Sequence, residues 1–413
     1  MNELRKDAEE ILSFAIREVL PEEAVRRALK DHPHPKGKLI LVSVGKAAWS
    51  MAHAALECVT PDKGIVITKE GHLKGPLGLL ELYEAGHPLV DERSLEATKR
   101  ALTMIEGSND DDEVLFLLSG GASALFEYPK VPLEELRDVN RQLLRCGADI
   151  REINTIRKRL SYVKGGRFAL SCAPAKVVSI ILSDVLGDPL DMIGSGPTAA
   201  DASTCEDAFR IVEKYGLALS DKVMELLKEE TPKKIPSSSF ILAGNLHGLL
   251  TAAKKRCEEL GYETYILEEE ITGEAREEGR RLALQALEAY GEGRRGLALI
   301  KGGETVVHVH GKGLGGRNQE FALSAAELLE GKDIAAFSAG SDGTDGPTDA
   351  AGGYVDGDTM ALFREKGIDP EEVLKDNDAY RALQECGGLL ITGPTGTNVN
   401  DLSVALIGKK GLH

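Results

Sequence analysis

The stretch KLILVSVGKAAWS (Lys38–Ser50) opens with an apolar, partly β-branched run and breaks at Gly45, with Lys46 immediately after the glycine. A run apolar on both faces suits a buried parallel strand, because helices cover both faces of such a sheet. The stretch therefore reads as strand, tight loop and helix. Runs of the same kind recur at KGIVIT (63–68), EVLFLLSG (113–120) and AKVVSIILSD (175–184). Helix-like segments such as 91–106 and 132–160 separate them, and helical periodicity over 2–20 and 21–30 precedes the first. This alternation predicts a doubly wound α/β domain.

The segment TPKKIPSSS (231–239) combines Pro, Ser and Lys without an apolar face and reads as a linker. A boundary near residue 236 gives two domains, 1–235 and 236–413. Beyond it FILAGN, YETYIL, GLALIKGG, TVVHVHG, DIAAFSAGSDG and GGLLITGPTGTN read as strands with helices between several of them. A second, mixed α/β domain with some antiparallel strands is expected. Ligands of open α/β sheets collect beyond the carboxyl ends of the strands. The loops there are rich in Gly, Ser, Thr and Asp in both domains, which predicts an interdomain cleft as the site.

Composition narrows the partners. The chain has 413 residues, 42% of them hydrophobic, and 67 acidic against 50 basic residues for a net charge of -17. That charge repels nucleic acid and anionic membranes. No apolar run approaches the ~18 residues of a membrane span, and Met1 leads directly into charged residues. Six scattered cysteines form no C-x-x-C pair. A soluble, cytoplasmic protein is expected, with a homodimer left open as its assembly.

Four loops carry the candidate chemistry. Gly311, Gly313 and Gly316 in HVHGKGLGGRNQEFAL (His308–Leu323) fit a dinucleotide-binding G-x-G-x-x-G, a weak pattern by itself. The polar helix start Arg317-Asn318-Gln319-Glu320 argues instead for an anion loop, in which Gly313, Gly315 and Gly316 hold phosphate oxygens and Arg317 neutralises their charge. A glycine-rich turn with a surface arginine fits the same residues equally well. Lys46, between strand and helix, is placed to reach an anion, although a lone G-K pair is more often a surface lysine and no P-loop motif occurs. Ser119, Gly120, Gly121, Ala122 and Ser123 offer close backbone approach for a carboxylate or phosphate, or form a plain strand-to-helix turn with Ser123 capping. Asp184, Asp188 and Asp191 in one loop, and Asp342, Asp345 and Asp349 in another, exceed what a phosphate-bound magnesium ion needs, so several are turn formers.

Taken together, SVGKAA, LSGGASAL, LSDVLGDPLDMIGSGPT, KGGETVVHVHGKGLGGRNQEFAL and SAGSDGTDGPTDAAGG resemble the glycerate 2-kinase family over nearly the whole chain. The resemblance implies an N-terminal Rossmann-like domain and a C-terminal MOFRL domain. It implies transfer of the γ-phosphoryl of ATP to the 2-hydroxyl of D-glycerate, with Mg2+ or another divalent cation. It also implies that Lys46, Arg317 and Asp184 are the catalytic residues, while the two acidic loops themselves leave Asp184, Asp342 and Asp345 as metal candidates. The competing readings are an NAD(P)-dependent hydroxypyruvate reductase and a non-catalytic sugar-acid-binding protein.

Overall fold

A computed structural model of the chain describes residues 3–235 and 237–409. They form two compact units: Pro21–Ala243, and the residues up to Leu20 together with those from Gly244 onward.

The first unit is built on β1 (Leu39–Val44), β2 (Lys63–Lys69), β3 (Glu81–Ala85), β4 (Glu113–Leu118), β5 (Lys176–Leu182) and β6 (Ser238–Gly244). Their order is β3-β2-β1-β4-β5-β6, the Rossmann order. β1 runs parallel to β2 from Ile40↔Lys63 to Val44↔Ile67, and parallel to β4 from Leu39↔Glu113 to Val44↔Leu118. Every residue of β1 and β4 is buried, as their double-sided apolar sequence demands. Ile40, Val42 and Val44 pack with Phe116 and Phe168 on one face, and Leu39 and Leu41 with Met51 and Leu115 on the other. Winding reverses between β1 and β4, so the loops after these two strands, Gly45-Lys46 and Ser119–Gly121, flank the switch point where such sheets bind ligands.

Three details differ from the sequence reading. The edge strand β3, ELYEA, is half-buried and mixes acids with apolar residues, so it carries no buried-strand signature. The helical stretch 132–160 is two helices, Leu133–Arg145 and Ile150–Arg159, the second opened by a capping box between Asp149 and Glu152. The domain boundary also moves. β6 completes the first sheet beside β5, so TPKKIP leads into a strand of that sheet and does not leave the unit; Pro236 itself lies outside the described residues. The helix Glu3–Glu18 buries Leu4, Ala8, Ile11, Leu12, Ala15 and Ile16 against the second unit, packing on the helix Leu246–Glu259 and its sheet. Apolar periodicity predicts that this helix is buried, but not which sheet it covers.

The second unit holds β7 (Glu263–Ile271), β8 (Leu297–Gly303), β9 (Ile334–Gly340), β10 (Gly352–Asp356), β11 (Leu389–Leu390) and β12 (Asp401–Ile407), in the order β11-β10-β9-β12-β8-β7. The sheet is mixed: β7 and β8 are parallel, while β12 lies antiparallel between β8 and β9. The strand expected over TVVHVHG does not form. Only Val306 makes a bridge, to Glu274, and Val309 is 72% exposed, because no sheet edge takes up the alternating valines. Among the described residues no helix is long and apolar enough to cross a membrane.

Candidate active site

Gly45 ends β1 with φ +123, and a Cβ there would stand 2.2 Å from Ser119 Oγ. Only glycine combines that backbone angle with so close an approach. The loops after β1 and β4 therefore lie backbone against backbone. The Lys46 amide donates to the Gly120 carbonyl (2.9 Å) and the Ala47 amide to Ser119 Oγ (3.1 Å). Thr68 Oγ1 donates to the Gly45 carbonyl (2.9 Å), and His72 Nδ1 lies 3.0 Å from the Lys46 carbonyl. The Lys46 backbone is thus fixed while its side chain stays exposed.

Asp184 follows β5 and closes on the same loop: a Cβ on Gly120 would come within 2.7 Å of its Oδ2. Burial pushes its carboxyl above the usual range, more strongly than its own backbone amide and the Lys46 charge pull it down. A Cβ on Gly121 would lie 3.2 Å from Lys46 Cγ. Lys46, Gly120, Gly121 and Asp184 are accordingly gathered at the carboxyl ends of β1, β4 and β5. The amides of Gly120, Gly121 and Ala122 donate to no protein group among the described residues.

The two serines of this loop are bonded within the protein. Ser119 Oγ holds the Ala47 amide. Ser123 Oγ sits 3.2 Å from the hydroxyl of Ser195, which donates to Asn154 Oδ1 at 2.8 Å. The Ser123 carbonyl accepts from Arg157 Nη2 (3.1 Å) and Lys164 Nζ (2.9 Å). Lys164 is fully buried beside Glu127 at 3.2 Å, and burial pushes its ammonium down to about 8. Nothing in the local pattern of RKRLSYVKGG distinguishes these buried cations from a solvated basic helix face, so the sequence reading does not single them out.

The glycine loop of the second unit departs from the anion-loop expectation at Gly313, while the amides of Gly315 and Gly316 donate to no group among the described residues. The amides of His310 and Gly311 donate to Asn377 Oδ1 (2.8 and 2.9 Å), that of Lys312 to Asp376 Oδ1 (3.0 Å), that of Gly313 to the Asp376 carbonyl (2.8 Å) and that of Leu314 to Asp378 Oδ1 (2.7 Å). A Cβ at Gly311 or Gly313 would strike Asp376 at 2.1 or 2.5 Å. These glycines let the loop dock on residues 376–378, and their amides are not open to phosphate. Gly315 and Gly316 bring the chain against Ala379 and Asp345.

The start of the helix Arg317–Leu329 is likewise occupied. Asp345 accepts from the amides of Asn318 (3.1 Å) and Gln319 (2.9 Å), and Asn318 itself is buried against Ser338 Oγ at 2.6 Å. Burial pushes Asp345 up to about 7, against the pull of those two amides. Asp345 is therefore buried at the helix start with both oxygens accepting from backbone amides. Asp342 remains half-buried, with one oxygen accepting from the Thr344 amide at 3.0 Å. Among the described residues no group of three or more His, Cys, Asp or Glu could hold a metal ion.

Arg317 is gripped by carboxylates. Its Nε and Nη2 bond both oxygens of buried Asp401 (2.6 and 3.1 Å), and Nη1 meets Glu304 at 3.0 Å. Burial works against its charge, but the bonds to Asp401 outweigh it and raise its pKa. Two of the five guanidinium N–H groups are hydrogen-bonded to Asp401 and Nη1 is ion-paired with Glu304, which leaves N–H groups for a ligand. The sequence reading finds Arg317 but not Asp401 or Glu304, which come from the first residue of β12 and the loop after β8.

A lysine, a carboxylate and amides without a protein partner thus meet at the switch point of a Rossmann-order sheet, where α/β folds bind their ligands. Residues 7–228 match the model for a domain of unknown function, DUF4147, and residues 297–401 match the MOFRL family. The chain is 51% identical to D-glycerate 2-kinase of Thermotoga maritima over 98% of both proteins. It is 42% identical to glycerate 2-kinase of Pyrococcus horikoshii over 91% of this chain and 88% of that one. The crystal structure of the Thermotoga maritima glycerate kinase matches with a TM-score of 0.94 at 51% identity, covering 98% of this chain and 99% of the other. The chain belongs to the type 2 glycerate kinase family.

Proposed function

We propose that the protein transfers the γ-phosphoryl group of ATP to the 2-hydroxyl of D-glycerate, giving 2-phosphoglycerate and ADP. The observation that carries this reading is the meeting of Lys46, the unsatisfied Gly120–Ala122 amides and Asp184 at one switch point. The amides hold the substrate carboxylate, which places the adjacent 2-oxygen beside Asp184. That oxygen attacks the γ-phosphorus, the bond to the bridging oxygen of ADP breaks, and the hydroxyl proton passes to Asp184. Its raised pKa suits a proton acceptor. Lys46 neutralises the charge that spreads over the phosphoryl oxygens, and in the second unit Arg317 keeps N–H groups beyond those bonded to Asp401 for an anion.

A magnesium ion needs only one or two protein carboxylates when phosphates and waters complete its shell. Asp184 in the first unit or Asp342 in the second could each supply one, whereas Asp345, which accepts from two helix amides, does not. Such a cation supplies charge neutralisation across the phosphates. The reductase reading is weakened, because in the G-x-G-x-x-G segment the amides from Gly311 to Leu314 are taken by residues 376–378. Six free cysteines support a reducing, cytoplasmic setting.

Coupling to enolase without any mutase tests the reading, since only 2-phosphoglycerate is dehydrated directly. With ATP, magnesium and D-glycerate, phosphoenolpyruvate absorbance should appear at once and stop on chelation by EDTA. A signal that waits for added mutase would mean that the 3-hydroxyl is the acceptor.

A further inference from the structure

His87 follows the edge strand β3 by two residues and reaches the loop after β4: a Cβ on Gly121 would lie 3.0 Å from its Cδ2 and 3.2 Å from its Nε2. It is half-buried, and among the described residues neither ring nitrogen has a hydrogen-bond partner. A half-buried imidazole beside a substrate loop, with both nitrogens free, is a recognition group without its ligand. Gly120 faces Asp184 and Gly121 faces His87. The two side chains thus address neighbouring positions on one peptide unit, whose Cα atoms are about 3.8 Å apart. A three-carbon acid held by its carboxylate on the amides between them spans that interval.

The chemistry of each group decides which part of the acid it takes. Lys46, whose Cγ borders the same Gly121 position, and the open amides answer the carboxylate and phosphoryl charges. Asp184 accepts the proton of the reacting 2-hydroxyl in the reading above. Burial, and then the charges of Lys46, Lys69 and His72, hold His87 below the usual histidine range, so its ring is neutral at neutral pH. A neutral ring with one donor and one acceptor nitrogen matches a hydroxyl better than an anion.

We infer that His87 is a specificity-determining residue that hydrogen-bonds the 3-hydroxyl of glycerate and so separates glycerate from 2-hydroxy acids that lack it. This rests on the kinase reading for the pose of the acid, but it is tested by binding alone.

D-Lactate has the same carboxylate and 2-hydroxyl and lacks only the 3-hydroxyl. Isothermal titration of the full-length protein should show D-glycerate bound roughly tenfold or more tightly than D-lactate, as one lost hydrogen bond to a desolvated site implies. In H87L the ratio should fall to within about twofold, through weaker glycerate binding with lactate unchanged. H87Q, whose amide offers a donor and an acceptor near the position of Nε2, should keep most of the discrimination. If H87L does not fold, H87N, whose amide stops short of that position, should show the same collapse. The inference is overturned if wild type does not discriminate, if the ratio survives in the variants, or if both acids weaken together as a structural role would require. Absence of phosphoenolpyruvate in the enolase assay, with discrimination intact, would instead remove the kinase reading and leave His87 as a hydroxyl reader.

Discussion

Arg317 is already paired with carboxylates of its own unit, and this sets what a substitution there does. The guanidinium bonds both oxygens of Asp401 and is ion-paired with Glu304 through Nη1, so its plane is fixed while N–H groups remain unbonded. Lysine supplies one point charge on a flexible stem, so it cannot hold the same two carboxylates and still present an oriented fork. R317K should lower kcat by about 10²-fold or more, a loss typical of removing an oriented donor from a developing charge, with a smaller effect on KM. The enolase-coupled assay reads both constants, and an undiminished kcat would reduce Arg317 to an electrostatic bystander. The arginine is legible in the sequence because it opens a polar helix start after glycines. Its partner Asp401 lies 84 residues later, and no local pattern joins them. His87 is hidden in the same way, since an isolated H-P pair after an unrecognised edge strand gives no sign of which loop it will touch.

At the level of the element, the helix Arg317–Leu329 shows why a correct motif can carry the wrong chemistry. Its first turn has the glycine, the amides and the charge of an anion site, yet the protein supplies the acceptor itself as the Asp345 carboxyl. That cap has a consequence for pH. Asp345 binds its proton up to about 7 in the folded chain against an ordinary 3.8, because burial penalises the carboxylate. Between pH 4 and 7 the folded state thus holds a proton that the unfolded state has released. Stability from this group is complete below the unfolded value and is lost as pH rises through the folded one. D345N keeps an acceptor oxygen at the helix start and never ionises. The melting temperature of D345N relative to wild type should therefore rise from pH 4 to pH 8. A difference that stays flat across this range would mean that Asp345 titrates normally. The buried strands β1, β4 and β5 were legible for the opposite reason: their double-sided apolar runs have no competing explanation, whereas β3, β10 and β12 lack that signature or lie in segments rich in turn residues.

At the scale of the whole molecule, the sequence order of the elements misleads about which of them fold together. The first unit is contiguous, Pro21–Ala243, and holds a complete six-stranded sheet with apolar clusters on both faces. The second begins at Gly244 but borrows its first helix from the other end of the chain. Besides its apolar face, that helix is tied down by Tyr262, whose hydroxyl donates to Asp7 at 2.6 Å, and by Arg5, which donates to the Leu389 carbonyl at 2.7 Å. Just beyond it, Thr397 Oγ1 donates to the Val19 carbonyl at 3.1 Å. A fragment of residues 21–243 should therefore unfold cooperatively when expressed alone, while a fragment of 244–413 should not, because the helix Leu246–Glu259 and the sheet beside it would face water where Ile11, Leu12 and Ala15 now cover them. Starting the second fragment at residue 236, where composition suggests the break, should make it worse by adding β6 without the β5 edge that pairs with it. Joining residues 1–20 to 244–413 through a flexible linker should restore a cooperative transition, followed by circular dichroism on heating. Equal melting of the second unit with and without the first twenty residues would show that the helix decorates this unit without holding it together.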